Sequence, residues 1–194
     1  VLITAVMSFG SIRSTNKLQL DNIQVTTRIA SQSISSNLHL LTERIYNIST
    51  DAELTDDSLS KKDKAAYLQD FEQEIEFVWL SVYDADGKKL YGDKTAPDSI
   101  ADTKYYSQLA ETANTVIGEP HYDQDVLQLC VGAPLKANDE VCGYVIGSYK
   151  YDLLNDVLSM LILGDTGSAC IINEKGTIIA DQDEKNIADQ VSIY

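Results

Sequence analysis

The chain has 194 residues, of which 44% are hydrophobic and 23% charged, with 10 Gly and 3 Pro. That balance describes a folded globular chain and excludes wholesale disorder, a collagen-like repeat and a disulfide-knotted miniprotein. Thirty acidic against fifteen basic residues give a formal charge of −15, a surface that repels phosphate and argues against nucleic-acid binding and docking on anionic lipid.

The chain opens with VLITAVMSFGSI, twelve residues without a charge before Arg13. As a helix they span about 18 Å, too short for a hydrocarbon core of about 30 Å. The stretch is read as the outer end of a transmembrane helix (residues 1–12) rather than as a signal peptide, since no basic leader precedes it, with the buried amphipathic start of a soluble helix as the plain alternative. No Gly or Pro follows up to Thr50, and Ile23, Ala30, Ile34, Leu38, Leu41, Ile45 and Ile48 form one helical stripe. From Ser14 to Ser49 that helix would run about 54 Å, a stalk able to pair with a copy of itself. Residues 50–60 read as an acidic loop with Ser60 as N-cap, closing a stalk segment 13–60.

A second helix is expected from about Lys61 to Glu76, with Ala65, Leu68, Phe71 and Ile75 on one face. The period then changes. Phe77–Tyr83 is rich in β-branched and aromatic residues, and Asp84-Ala85-Asp86-Gly87 turns it into Lys88–Tyr91. A short helix from about Thr103 to Ala113 and a short strand in Thr115–Pro120 come next. Val126–Leu135 and Val141–Tyr149 form a strand pair around Lys136–Glu140. Five strands with flanking helices predict an α+β module with an antiparallel sheet over residues 61–150. Helical spacing returns in 151–163 (Leu154, Val157, Leu158, Leu161) as a linking helix.

The tail repeats the head of this unit. Val82–Tyr91 aligns with Ile171–Ala180: an apolar strand, an Asx, two polar residues, Gly, and a second strand. Residues 164–194 are read as the incomplete start of a second module, because about thirty residues cannot close a sheet over a core.

Together, a long helix, a five-stranded unit, a linking helix and a second hairpin resemble the double-Cache, PAS-like sensor family of bacteria. The most specific segment is Leu163-Gly164-Asp165-Thr166-Gly167-Ser168-Ala169-Cys170 with the hairpin Ile171–Ala180 after it. Tyr105-Tyr106-Ser107-Gln108-Leu109-Ala110 resembles the family's aromatic-pair helix. Gly118-Glu119-Pro120, Gly132-Ala133-Pro134 and Gly143–Gly147 fit the three strands that follow. The resemblance implies the extracytoplasmic sensing region of a transmembrane receptor at the cell membrane. A methyl-accepting chemoreceptor is the first expectation; a histidine kinase, a diguanylate cyclase or a ligandless spacer are the alternatives. It implies a small molecule held by the distal module, anchorage through the N-terminal helix, a homodimer in the full receptor, and no cofactor. In the amino-acid-binding branch an Arg-x-Trp-Tyr segment holds the ligand carboxylate and a late-strand Asp its ammonium. Here the Arg position is Thr103, Tyr105 and Tyr106 replace Trp-Tyr, and the Asp position falls near Ser148. Without the guanidinium and its counter-charge, the expectation is that the ligand is not a standard amino acid.

Candidate ligand contacts follow. Tyr105 and Tyr106 offer ring faces and hydroxyls. Trp79 and Tyr83 alternate on one strand and share a face. His121, Tyr122 and Asp123 lie after Pro120 in an expected ligand-covering loop, and Ser148 sits on the last strand. Each also has a plain reading as core or solvated surface. An enzyme is not expected: the histidines are His39 and His121, and no nucleophile elbow or Cys/His pattern is present. His39 and Glu43 stand one helical turn apart, but two ligands do not make a metal site. Asp84-x-Asp86-Gly87 and Asp181-x-Asp183 lack the length of a calcium loop and read as turns. Cys130 and Cys142 lie on paired strands, yet a turn near Ala137–Asn138 leaves them offset, which disfavours a disulfide.

Overall fold

A computed structural model describes residues 2–74, 77–123, 126–150, 158, 169–172, 175–181, 183–189 and 191–192, with residues 2–20, 72–74, 123 and 184 described by backbone alone. It opens on α1 (Leu2–Ser49), 48 residues of continuous helix, about 72 Å long. The predicted stripe lies within it, but the sheet covers only its C-terminal half. Leu41, Ile45 and Ile48 are buried and Ile34 and Leu38 partly so, while Ile23 is 47% exposed. Among the described residues, no helix is long and apolar enough to cross a membrane.

Residues 50–60, expected as plain loop, contain a helical turn, α2 (Ala52–Thr55), because the Asp51 carboxylate accepts from Glu53 N and caps it. Ser60 accepts from Asp63 N and donates to the Asp63 carboxylate, a reciprocal cap that starts α3 (Lys61–Glu74) where expected.

The sheet runs β1 (Phe77–Asp84), β2 (Lys89–Gly92), β3 (Val116–Ile117), β4 (His121–Asp123), β5 (Val126–Ala137) and β6 (Glu140–Lys150). Its order is β2-β1-β6-β5-β3, all antiparallel, and β4 pairs with β5 beside β3. Between β2 and β3 lies α4 (Lys104–Thr112). The expected loop at His121–Asp123 is thus a short strand, in register with Val126–Gln128. Chain reversal places these residues against the β5 backbone, and pairing satisfies both sets of peptide groups.

Strand alternation sends two sets of side chains to opposite faces. Leu80, Val82, Leu129, Val131, Ala133, Val145 and Tyr149 pack with α1 and Leu68 of α3. Trp79, Tyr83, Cys130, Tyr144 and Ile146 pack with Tyr105 and Leu109 of α4 and with Ile100. Fully burying one such Leu or Ile stabilises by about 1.5–3 kcal/mol, so both layers hold the sheet between them.

The β5–β6 turn falls on Asn138 and Asp139, both with positive φ, one residue later than expected. Cys130 accordingly faces Ser148, and Cys142 donates to Leu135 O at 3.4 Å; all three cysteines are free. The second hairpin is β7 (Cys170–Ile172) with β8 (Ile178–Asp181), followed by α5 (Glu184–Ala188). Gly87 and Gly176 hold the same left-handed φ, 79° and 77°, at the aligned positions of the two hairpins; only glycine adopts this without a Cβ penalty. Ile178, Ala180 and Ile187 belong to the α1-side core. The expected linking helix 151–163, apart from Leu158, and the turn Gly164–Ser168 lie outside the described residues.

Candidate ligand-binding site

The α4 face of the sheet carries a row of side chains set by strand register. Trp79 of β1 pairs with Ser148 of β6, and Ser148 pairs with Cys130 of β5. His121 of β4 pairs with Gln128, two residues from Cys130. Over this row lies α4, started by Thr103, whose hydroxyl oxygen accepts from Tyr106 N at 3.2 Å and donates to Ile100 O at 2.7 Å. That cap turns Tyr105 and Leu109, four residues apart, onto the sheet. Gly132 lets the helix approach: a Cβ there would stand 2.7 Å from Leu109 Cδ1.

Hydrogen bonding in the row is uneven. Tyr83 donates to Pro97 O at 2.9 Å, and Ser148 donates to Gln128 Oε1 at 2.5 Å. His121 Nε2 lies 3.9 Å from Cys130 Sγ, and its Nδ1 lies 3.4 Å from Glu119 O. The Trp79 indole N–H and the Ser81 hydroxyl are buried with no partner among the described residues. Burial, reinforced by Cys130, pushes the Tyr105 hydroxyl well above the usual tyrosine range, and burial does the same for Tyr83. Both hydroxyls therefore stay protonated at neutral pH. The buried polar residues of the described chain are Ser49, Ser81, Gln128 and Ser148, all neutral. Among the described residues this face presents aromatic rings, hydroxyls and the Gln128 amide.

Trp79, Tyr83, Tyr105, Ser148 and His121 thus come together. Tyr106 stands at the margin, donating to Ala85 O at 2.9 Å and meeting Tyr144 edge-on at 5.8 Å. Tyr122 is exposed, on the strand position opposite in direction to His121. Asp123 pairs by backbone with Val126. Gln128, Cys130 and Ser81 were not read from the sequence as ligand contacts, although a glutamine inside the apolar run Val126–Leu135 is a readable signal. Asp84 and Asp181 accept backbone N–H groups of their own turns. Among the described residues no cluster of three or more His, Cys, Asp or Glu could hold a metal ion.

A family model described as "Cache domain" matches residues 11–194. The fold is similar to the ligand-binding domain of the Pseudomonas aeruginosa PAO1 amino acid chemoreceptor PctB in complex with L-Gln. That match has a TM-score of 0.73 at 18% identity and covers 89% of this chain and 72% of that one. The ligand-binding domain of the Pseudomonas fluorescens chemoreceptor CtaA with L-isoleucine matches at TM-score 0.69 and 18% identity, covering 86% and 68%. That of the Campylobacter jejuni chemoreceptor Tlp3 with 4-methylisoleucine matches at 0.69 and 11%, covering 91% and 75%. No curated protein matches the sequence. The expectation that the ligand is not a standard amino acid is overturned by these neighbours, which include PctB with L-Gln and L-Arg and CtaA with L-isoleucine, L-serine and L-valine. That expectation rested on Thr103 and Ser148 alone. Neutral donors and acceptors in a buried row can pair with carboxylate and ammonium groups, so the loss of two charged positions does not exclude the class.

Proposed function

The chain belongs to the Cache domain family, and from that premise we propose that it is the extracytoplasmic small-molecule-sensing region of a transmembrane chemoreceptor. The observation that carries the reading is the Trp79 indole N–H, buried beneath α4 without an acceptor among the described residues, where its neighbours Tyr83 and Ser148 each have one. A buried donor left unpaired costs about 1–3 kcal/mol, and a ligand oxygen in that position would recover it. Trp79, Tyr83, Tyr105, His121 and Ser148 are assigned to ligand contact, with Tyr106, Tyr122 and Asp123 at the edge. Small molecules bearing an acceptor oxygen, standard amino acids included, are the ligand class.

In this reading residues 1–12 end a transmembrane helix, 13–60 form its stalk, 61–150 the distal module, 151–163 a link, and 164–194 the start of a proximal module. Coupling would run through the sheet, because Ile45 and Ile48 of α1 pack on its other face. It would also run through the Lys104–Glu119 pair at 3.0 Å, which borders a cavity of about 80 Å³ shared with Ile178 of β8 and Ile187 of α5. A ligand that prefers one arrangement of these contacts shifts the population toward it, displacing a helix. A histidine kinase or diguanylate cyclase would use the same input.

A ligandless spacer is the second reading, favoured by one observation: Trp79, Tyr83, Tyr105, Leu109 and Ile146 already fill the space under α4. A thermal-shift screen of metabolites and the twenty amino acids separates the two. A ligand that binds the native state raises Tm; a flat response across the screen removes the sensor reading.

A further inference from the structure

On the sheet face opposite α4, at the end marked by the Asn138–Asp139 turn, a cleft of about 440 Å³ opens between the start of α3 and strands β2, β5 and β6. Its volume lies within the range of about 300–1,000 Å³ common for small-ligand sites. Leu54, Leu90 and Leu135 form part of its inner wall, Leu54 and Leu135 with little exposed surface. Lys61, Lys64 and Lys136 all line it, against a single carboxylate, Asp57. None of the three lysines forms an ion pair among the described residues. In a chain of formal charge −15, Lys61 and Lys136 present ammonium groups to this cavity outside any ion pair among the described residues, while Lys64 donates to Leu54 O and acts on the Asp56 carboxylate beside it.

The wall is also fixed in place. Leu54 O accepts both from Lys64 Nζ at 3.0 Å and from Tyr91 OH at 3.1 Å. Burial pushes the Tyr91 hydroxyl up to about 12, so it stays a neutral donor. Lys61 and Lys64 lie in the first turn of α3, whose peptide dipoles add partial positive charge at the same end.

We propose that this cleft is a second ligand site, separate from the α4 face, for an organic anion: a carboxylate with an apolar chain or ring. The apolar body would lie on Leu54, Leu90 and Leu135, and the carboxylate would meet Lys61 and Lys136. The site is independent of the sensing role proposed for the α4 face.

Cys142 lines the cleft and is exposed, Cys170 is exposed elsewhere, and Cys130 is buried. In the full chain carrying Cys170→Ser, alkylation of Cys142 therefore reports on this cavity alone. Hexanoate and benzoate at millimolar concentration are expected to slow that alkylation at least threefold, whereas hexanol and hexylamine leave it unchanged. An anionic methanethiosulfonate reagent should react with Cys142 several-fold faster than its cationic counterpart. That preference should invert in K61E/K136E, two exposed positions whose fold is checked by circular dichroism. Equal protection by the neutral or cationic probes, protection by neither carboxylate, or faster reaction of the cationic reagent with the unreversed chain overturns the assignment. A failed amino-acid screen at the α4 face leaves it standing.

Discussion

Trp79 on β1 and Ser148 on β6 are direct partners across the sheet, and their polar atoms have opposite fates. The Ser148 hydroxyl is tied to Gln128, while the Trp79 indole N–H has no acceptor among the described residues. A sheet places the two side by side through register alone. That pairing puts one committed and one available hydrogen-bonding group under α4.

Replacing Trp79 by Phe keeps an aromatic ring and removes the donor. Because no hydrogen bond to a described residue is lost, relief of the unpaired group offsets part of the lost packing, and stability should change by less than about 2 kcal/mol. Affinity for a ligand found in the screen should fall at least about tenfold, or about 1.4 kcal/mol. Calorimetry measures this. Unchanged affinity in W79F removes Trp79 from the contact set. Trp79 is the single tryptophan, so its emission should also shift on binding in the wild-type chain.

Thr103→Ala removes the N-cap of α4. The expected cost is about 0.5–2 kcal/mol in urea unfolding, together with weaker ligand binding because Tyr105 is no longer held over the row. Thr103→Ser retains the hydroxyl and should recover both. A Thr103→Ala chain with full stability would show that the cap is dispensable.

Ile45→Ala should destabilise by about 2–5 kcal/mol, as cavity-forming core substitutions do, since Ile45 is fully buried against the sheet. Ile29, on the same helix but 61% exposed, should tolerate alanine within about 0.5 kcal/mol. Denaturant midpoints for the two variants give the comparison. Equal effects would mean that α1 is not docked through Ile45.

At alkaline pH the chain should lose stability between about pH 10 and 12. Tyr67 donates to the Asp51 carboxylate, and that bond, with burial, raises its pKa from 10.0 to about 12; burial does the same for Tyr91. A pKa raised in the folded state gives a contribution that is complete below the unfolded value and lost as pH rises through the folded one. Tyr67→Phe should therefore show a shallower decline from pH 10 to 12 than the wild-type chain, at a cost of about 1 kcal/mol at pH 7. Urea unfolding across that range, with phenolate absorbance followed in parallel, decides it.

The sequence by itself determined what short-range chemistry controls. The stretch from Arg13 to Thr50 without Gly or Pro gave most of α1, Ser60 with Asp63 started α3, and Gly87 and Gly176 closed two matching hairpins. Period-two alternation put Trp79 and Tyr83 on one face, and the order of these parts was sufficient to point to the Cache family. Tertiary structure alone decided which groups meet. Alternation says that Trp79, Ser148 and Gln128 each point to one side of a strand, but strand order and register bring them to the same side and into contact. Likewise the strand at His121–Asp123 exists because β5 offers it unpaired peptide groups, and the lysine-lined cleft because α3 happens to start beside the β5–β6 turn. Such relations depend on residues far apart in the chain, whose pairing free energy no local window contains.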